Sequence, residues 1–156
     1  MPAWYDPSWA FRQQVTIDKD MVANANQSDF PVLIKLADED NPLFTDAQED
    51  GDDILFTSSD GTTKLSHEIE RFVTTEGSRE LIAWVKVPTL SASADTVLYL
   101  YYGNPTCGSQ QDAENVWDDN FVMVQHMKDA TTSTILDSTD NNNDGTKGAA
   151  NQPIEA

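Results

Sequence analysis

The chain has 156 residues, and 27 Asp and Glu against 9 Lys and Arg leave a formal net charge of −18. That balance excludes ordinary phosphate-backbone binding, which needs a basic stripe to release counterions, and disfavours anionic membrane surfaces. A hydrophobic content of 38% with 9% aromatic residues excludes a wholly disordered chain and allows one domain with a core, or one domain and a fragment of another. Cys107 is the single cysteine, so neither an intrachain disulfide nor a thiolate cluster can form. The longest apolar runs are strand-sized, which predicts no direct membrane insertion.

Apolar residues recur with period two. Phe11 to Ile17 alternates and predicts a first strand; Phe30 to Leu36 predicts a second, with Pro31 at its start or on a sheet edge. Asn41 to Gln48 allows a single helical turn beside a loop. Ala37 to Asp53 is the most acidic stretch, with Asp38, Glu39, Asp40, Asp46, Glu49, Asp50, Asp52 and Asp53. Asp53 to Thr57 predicts a third strand, and Asp60-Gly61 a hairpin turn into a fourth over Lys64 to Phe72. Leu81 to Val87 predicts a fifth, stopped by Pro88, and Thr96 to Tyr102 a sixth, stopped by Gly103-Asn104-Pro105. Short strands punctuated by Gly, Pro, Asn and Asp predict an all-β fold, an antiparallel β-sandwich close to a jelly roll. Its expected core is Val15, Ile17, Val32, Ile34, Ile54, Phe56, Ala83, Val85, Leu98 and Leu100.

Composition shifts after Tyr102. The sandwich is expected over residues 1–105, a linker over 106–115, and a tail over 116–156 that opens with a strand at Phe121 to Met127. About 40 residues cannot build a separate sandwich. The tail therefore either docks on the first domain or begins a second one.

The blocks Trp4, Ser8-Trp9-Ala10-Phe11-Arg12, Val15-Thr16-Ile17-Asp18 and Phe30-Pro31-Val32-Leu33-Ile34 come first. Gly51-Asp52-Asp53-Ile54-Leu55-Phe56-Thr57 with Asp60-Gly61, then His67-Glu68-Ile69-Glu70, follow. Ala83-Trp84-Val85-Lys86-Val87-Pro88 and Tyr99-Leu100-Tyr101-Tyr102-Gly103-Asn104 complete the series. In this order, over residues 3–104, the chain resembles the domain-of-unknown-function family 2341 of bacterial and archaeal surface proteins. Val116-Trp117, Val124-Gln125-His126-Met127 and Asp137 to Gly145 resemble the opening of a concanavalin-A-like or laminin-G-like sandwich. These resemblances imply a secreted or envelope location, further domains in the same polypeptide, and sometimes proton-channel energiser modules alongside. They imply no reaction. No basic n-region or apolar h-region opens the chain, so an extracellular or cell-envelope location takes a signal peptide to have been removed.

Three groups of residues suggest chemistry. Glu68 and Glu70 lie two apart on a strand and so share a face, as paired glycosidase carboxylates or ligand acceptors would. Trp84, Tyr99 and Tyr101 point outward if the Leu and Val positions beside them point inward. With Glu68 and Glu70 they form a candidate carbohydrate surface, aromatic faces stacking on sugar C–H patches and carboxylates accepting from hydroxyls. A loop or second domain covering these aromatics is the competing expectation. Asp137, Asp140, Asn142 and Asp144 are spaced like calcium ligands, without the closing Glu of an EF-hand. Asp50, Asp52 and Asp53 form a second calcium candidate, although Asp53 directly precedes a strand and can bond loop amides instead. His67 and His126 carry no zinc motif, and no Gly-x-Ser-x-Gly or P-loop is present.

The leading expectation is a non-catalytic extracellular recognition module that binds a polysaccharide or glycan. A structural spacer in an adhesin or envelope protein is the alternative. A glycosidase or lyase is the third, and requires two carboxyls about 5 to 9.5 Å apart across a cleft.

Overall fold

The computed structural model describes residues 2–127 and 134–148. The strands are β1 (Phe11–Ile17), β2 (Gln27–Leu36), β3 (Leu55–Thr57), β4 (Lys64–Leu65), β5 (His67–Val73), β6 (Glu80–Leu90), β7 (Thr96–Tyr102), β8 (Thr134–Ile135) and β9 (Gly145–Thr146). A helical turn, α1 (Leu43–Asp46), falls within Asn41 to Gln48, where the sequence allows one, and a 3-10 turn spans Lys19–Met21. Among the described residues no helix is long and apolar enough to cross a membrane. One sheet has the order β1–β7–β3–β4 and a second β2–β6–β5; every pairing is antiparallel. Among the described residues β8 and β9 pair only with each other.

The two sheets bury one core, as the alternation requires. Ile34, Ile69, Ala83, Val85 and Val87 from one sheet meet Phe56, Leu98 and Leu100 from the other, with Ile54, Leu43 and Phe44 closing an end. Val15, Ile17 and Val32 of the expected core are only partly buried, because β1 and β2 are edge strands.

Three expected elements differ. The Lys64 to Phe72 strand breaks at Ser66: β4 stays in the first sheet and β5 joins the second. The Ser66 carbonyl accepts from Lys86 N at 3.0 Å, and its hydroxyl donates to Asp112 at 2.7 Å. A strand that changes sheet makes a corner of the sandwich. Second, β6 runs through Pro88 to Leu90. Register pairs Ser28 with Thr89 and Phe30 with Val87, skipping Pro88 and the positive-φ Asp29 between them. The proline's missing N–H thus falls where the ladder asks for no bond. Third, Phe121 to Met127 is irregular chain, not a strand: Val124 N donates to Asp137, and the Phe121 and Val122 carbonyls accept from the Asn141 and Asn143 side chains. The rest of the expected tail, 128–133 and 149–156, lies outside the described residues.

The linker covers the outer edge of β5. Asp112 N donates to the His67 carbonyl at 2.9 Å, and Ile69 N to the Gln111 side chain at 2.7 Å. An edge strand with satisfied backbone groups is a poor template for aggregation.

The N-terminal residues form a strap over the outer face of the first sheet. Arg12 holds it: Nη1 donates to the Ala3 carbonyl at 2.7 Å and to the Tyr101 hydroxyl at 3.0 Å. Tyr101 donates in turn to the Gly61 carbonyl at 2.9 Å. Gly61 has φ +81°, and a Cβ there would sit 2.1 Å from the Ala3 carbonyl oxygen. Gly61→Ala is expected to expel the strap and cost about 2 kcal/mol through strain and lost contacts. Denaturant unfolding, with limited proteolysis ahead of β1, measures both; an unchanged cleavage rate would contradict the strap's dependence on Gly61.

Candidate functional site

The outer face of the β2–β6–β5 sheet carries the densest polar constellation. Register sets Leu33 and Glu68 on either side of Trp84. The ladder shifts between Ile69 and Arg71, leaving Glu70 as the bulged residue. Such a bulge re-aims a side chain. Here it brings both carboxylates onto one partner, His126 from the tail. His126 Nε2 lies 3.1 Å from Glu68 Oε2, and Nδ1 lies 3.2 Å from Glu70 Oε2.

The rest of the constellation is also supplied by the chain itself. Trp117 Nε1 donates to Glu68 Oε2 at 3.0 Å, and the Ser138 hydroxyl to Glu68 Oε1 at 2.6 Å. Trp84 Nε1 donates to Glu70 Oε2 at 2.7 Å. Trp84 packs on Trp117 with ring centroids 5.3 Å apart, and on His126 at 6.4 Å with nearly parallel rings. Burial pushes the Glu68 carboxyl up, but bonds from His126, Ser138 and Trp117 outweigh it and hold the group below its usual range. A cavity of about 270 Å³ adjoins, lined by Glu68, Ala113, Glu114, His126, Leu136, Asp137 and Ser138. Glu68 is 5% exposed, with both oxygens taken. It is placed to fasten rather than to transfer a proton to a substrate.

The single aromatic surface expected for Trp84, Tyr99 and Tyr101 does not form. Trp84 belongs to one sheet and both tyrosines to the other, so they face opposite ways. Tyr101 does point outward on β7, yet it is fully buried beneath Trp4, Tyr5 and Trp9. Tyr99 is partly exposed, with the Arg12 guanidinium 4.6 Å above its ring and 4.7 Å from that of Trp4.

The aspartates turn toward protein donors. Asp53 is buried; its Oδ2 accepts from Gly103 N at 2.6 Å and Asn104 N at 3.0 Å, and its Oδ1 from Gln48 N at 2.9 Å. Asp50 accepts from Asp52 N at 3.1 Å. In the tail loop, Asp137 Oδ1 accepts from Val124 N and Thr139 N, and Oδ2 from Asn143 N and the Thr139 hydroxyl. Burial raises the Asp137 carboxyl, but these bonds outweigh it and hold the group below the usual range. Asp144 accepts from Asp137 N at 2.9 Å; Asp140 and Asn142 are exposed, and Asn142 Nδ2 donates to the Asp140 carbonyl at 2.7 Å. Among the described residues, no three His, Cys, Asp or Glu side chains converge as a metal would need.

The family described as "Domain of unknown function (DUF2341)" matches residues 50–144. The chain belongs to that family. No curated protein and no solved structure matches it. The DUF2341 match runs through the linker into the tail, so Glu68, Glu70, Trp84, Trp117, His126 and Ser138 all lie within it. The N-terminal blocks from Trp4 to Ile34 lie ahead of it.

Trp117, His126 and Ser138 are the functional residues that alternation does not single out. They sit on irregular chain 49 to 70 residues from Glu68, where no periodicity reports a partner. The available signal is the resemblance: all three fall in the blocks Val116-Trp117, Val124-Gln125-His126-Met127 and Asp137 to Gly145.

Proposed function

We propose that the chain is a non-catalytic module of a larger surface or secreted protein, and that its three-stranded sheet is the mount for the segment that follows it. The observation that supports this reading is the engagement of Glu68, Glu70 and Trp84 by the chain's own Trp117, His126 and Ser138. Those three residues are candidate ligand groups of that face, and here they engage the polypeptide itself. The mounted segment, with its Val116-Trp117 and Asp137 to Gly145 blocks, is on this reading the beginning of a concanavalin-A-like domain. The partners are then further domains of the same polypeptide.

Glycan recognition is the competing reading, and one observation favours it. Trp4, Arg12 and Tyr99 leave a partly exposed aromatic and cationic patch on the opposite sheet. A glycan array run on the full chain, with calcium and with chelator, separates the two. The mount reading expects silence in both conditions from a sample folded by far-UV circular dichroism. Binding abolished by Trp84→Ala would overturn it, because the same face would then serve an external ligand. Binding abolished by Tyr99→Ala alone would move recognition to the strap side.

A further inference from the structure

His126 is held in an unusual way. Both ring nitrogens face a carboxylate, Nε2 toward Glu68 and Nδ1 toward Glu70, and its side chain is 8% exposed. A neutral imidazole has one N–H and one lone pair, whereas an imidazolium has two N–H donors. Only the protonated ring can donate to both glutamates; the neutral ring must aim a lone pair at one of them. The groups around it sharpen this difference. β5 supplies Glu68 and Glu70, β6 supplies the Trp84 ring, and the tail supplies the Trp117 ring. Glu114 and Asp137 line the adjoining cavity, and among the described residues of that lining His126 is the one group able to carry a positive charge.

The fastening is also separable from the sheet. Among the described residues the tail adds no strand to β2–β6–β5, and β8 and β9 pair with each other. Trp117, His126 and Ser138 join the tail to this face through their side chains.

We propose that the Glu68–His126–Glu70 bridge is a proton-gated latch, which holds the tail on the sheet while His126 donates from both nitrogens and loosens it when the imidazole gives up a proton. This rests on the mount reading above. The device makes the angle between the sandwich and whatever follows it stiff while the imidazolium is held and mobile once its proton is lost.

The two indoles that donate to the same glutamates report on it. In the full chain with ¹⁵N-labelled tryptophan, the Nε1–H signals of Trp84 and Trp117 are followed from about pH 5 to about pH 9, which spans the range of about pH 5 to 8 over which histidine charge changes. Trp4 and Trp9, bonded to the Trp9 and Asp53 backbone carbonyls on the strap side, serve as internal references. The latch expects the Trp84 and Trp117 signals to shift together with the His126 ring protons while Trp9 stays still. Their solvent exchange, corrected for its intrinsic pH dependence, should rise about tenfold, the equivalent of one charge-assisted bond. His126→Gln, checked for folding by far-UV circular dichroism, should flatten the response. Glu70→Gln, which keeps an acceptor for Trp84, should narrow it. Protected indoles that stay flat while His126 titrates would overturn the latch and leave the mount intact. Indoles unprotected at every pH would overturn both.

Discussion

Asp53→Ala is expected to destabilise the protein by about 4 kcal/mol, the largest single-site loss in the chain. A buried carboxylate that accepts three backbone amides cannot be removed without stranding them, and each charge-assisted bond is worth about 1.5 to 3 kcal/mol before partial relaxation. The amides belong to Gln48 in the acidic loop and to Gly103 and Asn104 at the end of β7. The Asp53 carbonyl also accepts from Trp9 Nε1 at 2.7 Å, so one residue joins the loop, the last strand of the first sheet and the N-terminal strap. Asp53→Asn should recover part of the loss, since the amide oxygen still accepts from some of these donors. Urea unfolding of both variants measures it. The same loss is expected with calcium and with chelator. Destabilisation confined to calcium-containing buffer would return Asp53 to a metal-ligand role.

His67 carries the second large effect. It is fully buried against Phe56, and neither ring nitrogen has a hydrogen bond of normal geometry. Burial is the main cause that pushes its imidazole down to about 4, against weaker help for the charged form from the nearby Leu65 carbonyl. The unfolded chain binds this proton near the ordinary value of 6.5 and the folded chain only near 4. Between those values the unfolded state holds more protons, so stability rises with pH across the window. Its contribution is whole above pH 6.5, and it is lost as pH falls through that window toward 4, by about 3 kcal/mol in all. His67→Phe keeps the ring and removes the titration. It should flatten the stability profile across that window, while the steeper loss at lower pH, where Glu68 and Asp137 protonate, remains. Thermal melts at closely spaced pH values would show it. An unaltered slope in the variant would assign the acid sensitivity elsewhere.

Alternation told which way side chains point more reliably than what they meet. On β6 and β7 the inward set Leu81, Ala83, Val85, Leu98 and Leu100 is buried as the pattern requires, and Trp84 and Tyr101 do point outward. Pointing outward from a sheet is a property of the strand alone. Tyr101 is nevertheless as buried as the core, because Trp4, Tyr5 and Trp9 arrive from ninety residues away. The Lys64 to Phe72 run reads as one strand because its alternation barely breaks. The corner at Ser66 exists because Lys86 and Asp112 hold it, and both are distant in the chain. The aspartate clusters read as calcium ligands because spacing counts oxygens without counting the amides that already occupy them. Asp53 and Asp137 each take several.

The order of residues by itself determined the all-β class, the positions of most strands, the inward faces of β6 and β7, the helical turn at Leu43–Asp46 and the hairpin at Asp60-Gly61. Each follows from local sterics and a two-residue period that need no distant partner. Tertiary structure alone decided which sheet each strand joined, that Trp84 and Tyr101 lie on opposite outer faces, and that Glu68 and Glu70 converge on His126. Those outcomes depend on which remote segment covers a given face. Burial and hydrogen-bond satisfaction select that segment only once the whole chain is folded, because an outward carboxylate looks the same in sequence whether water or an imidazole stands in front of it.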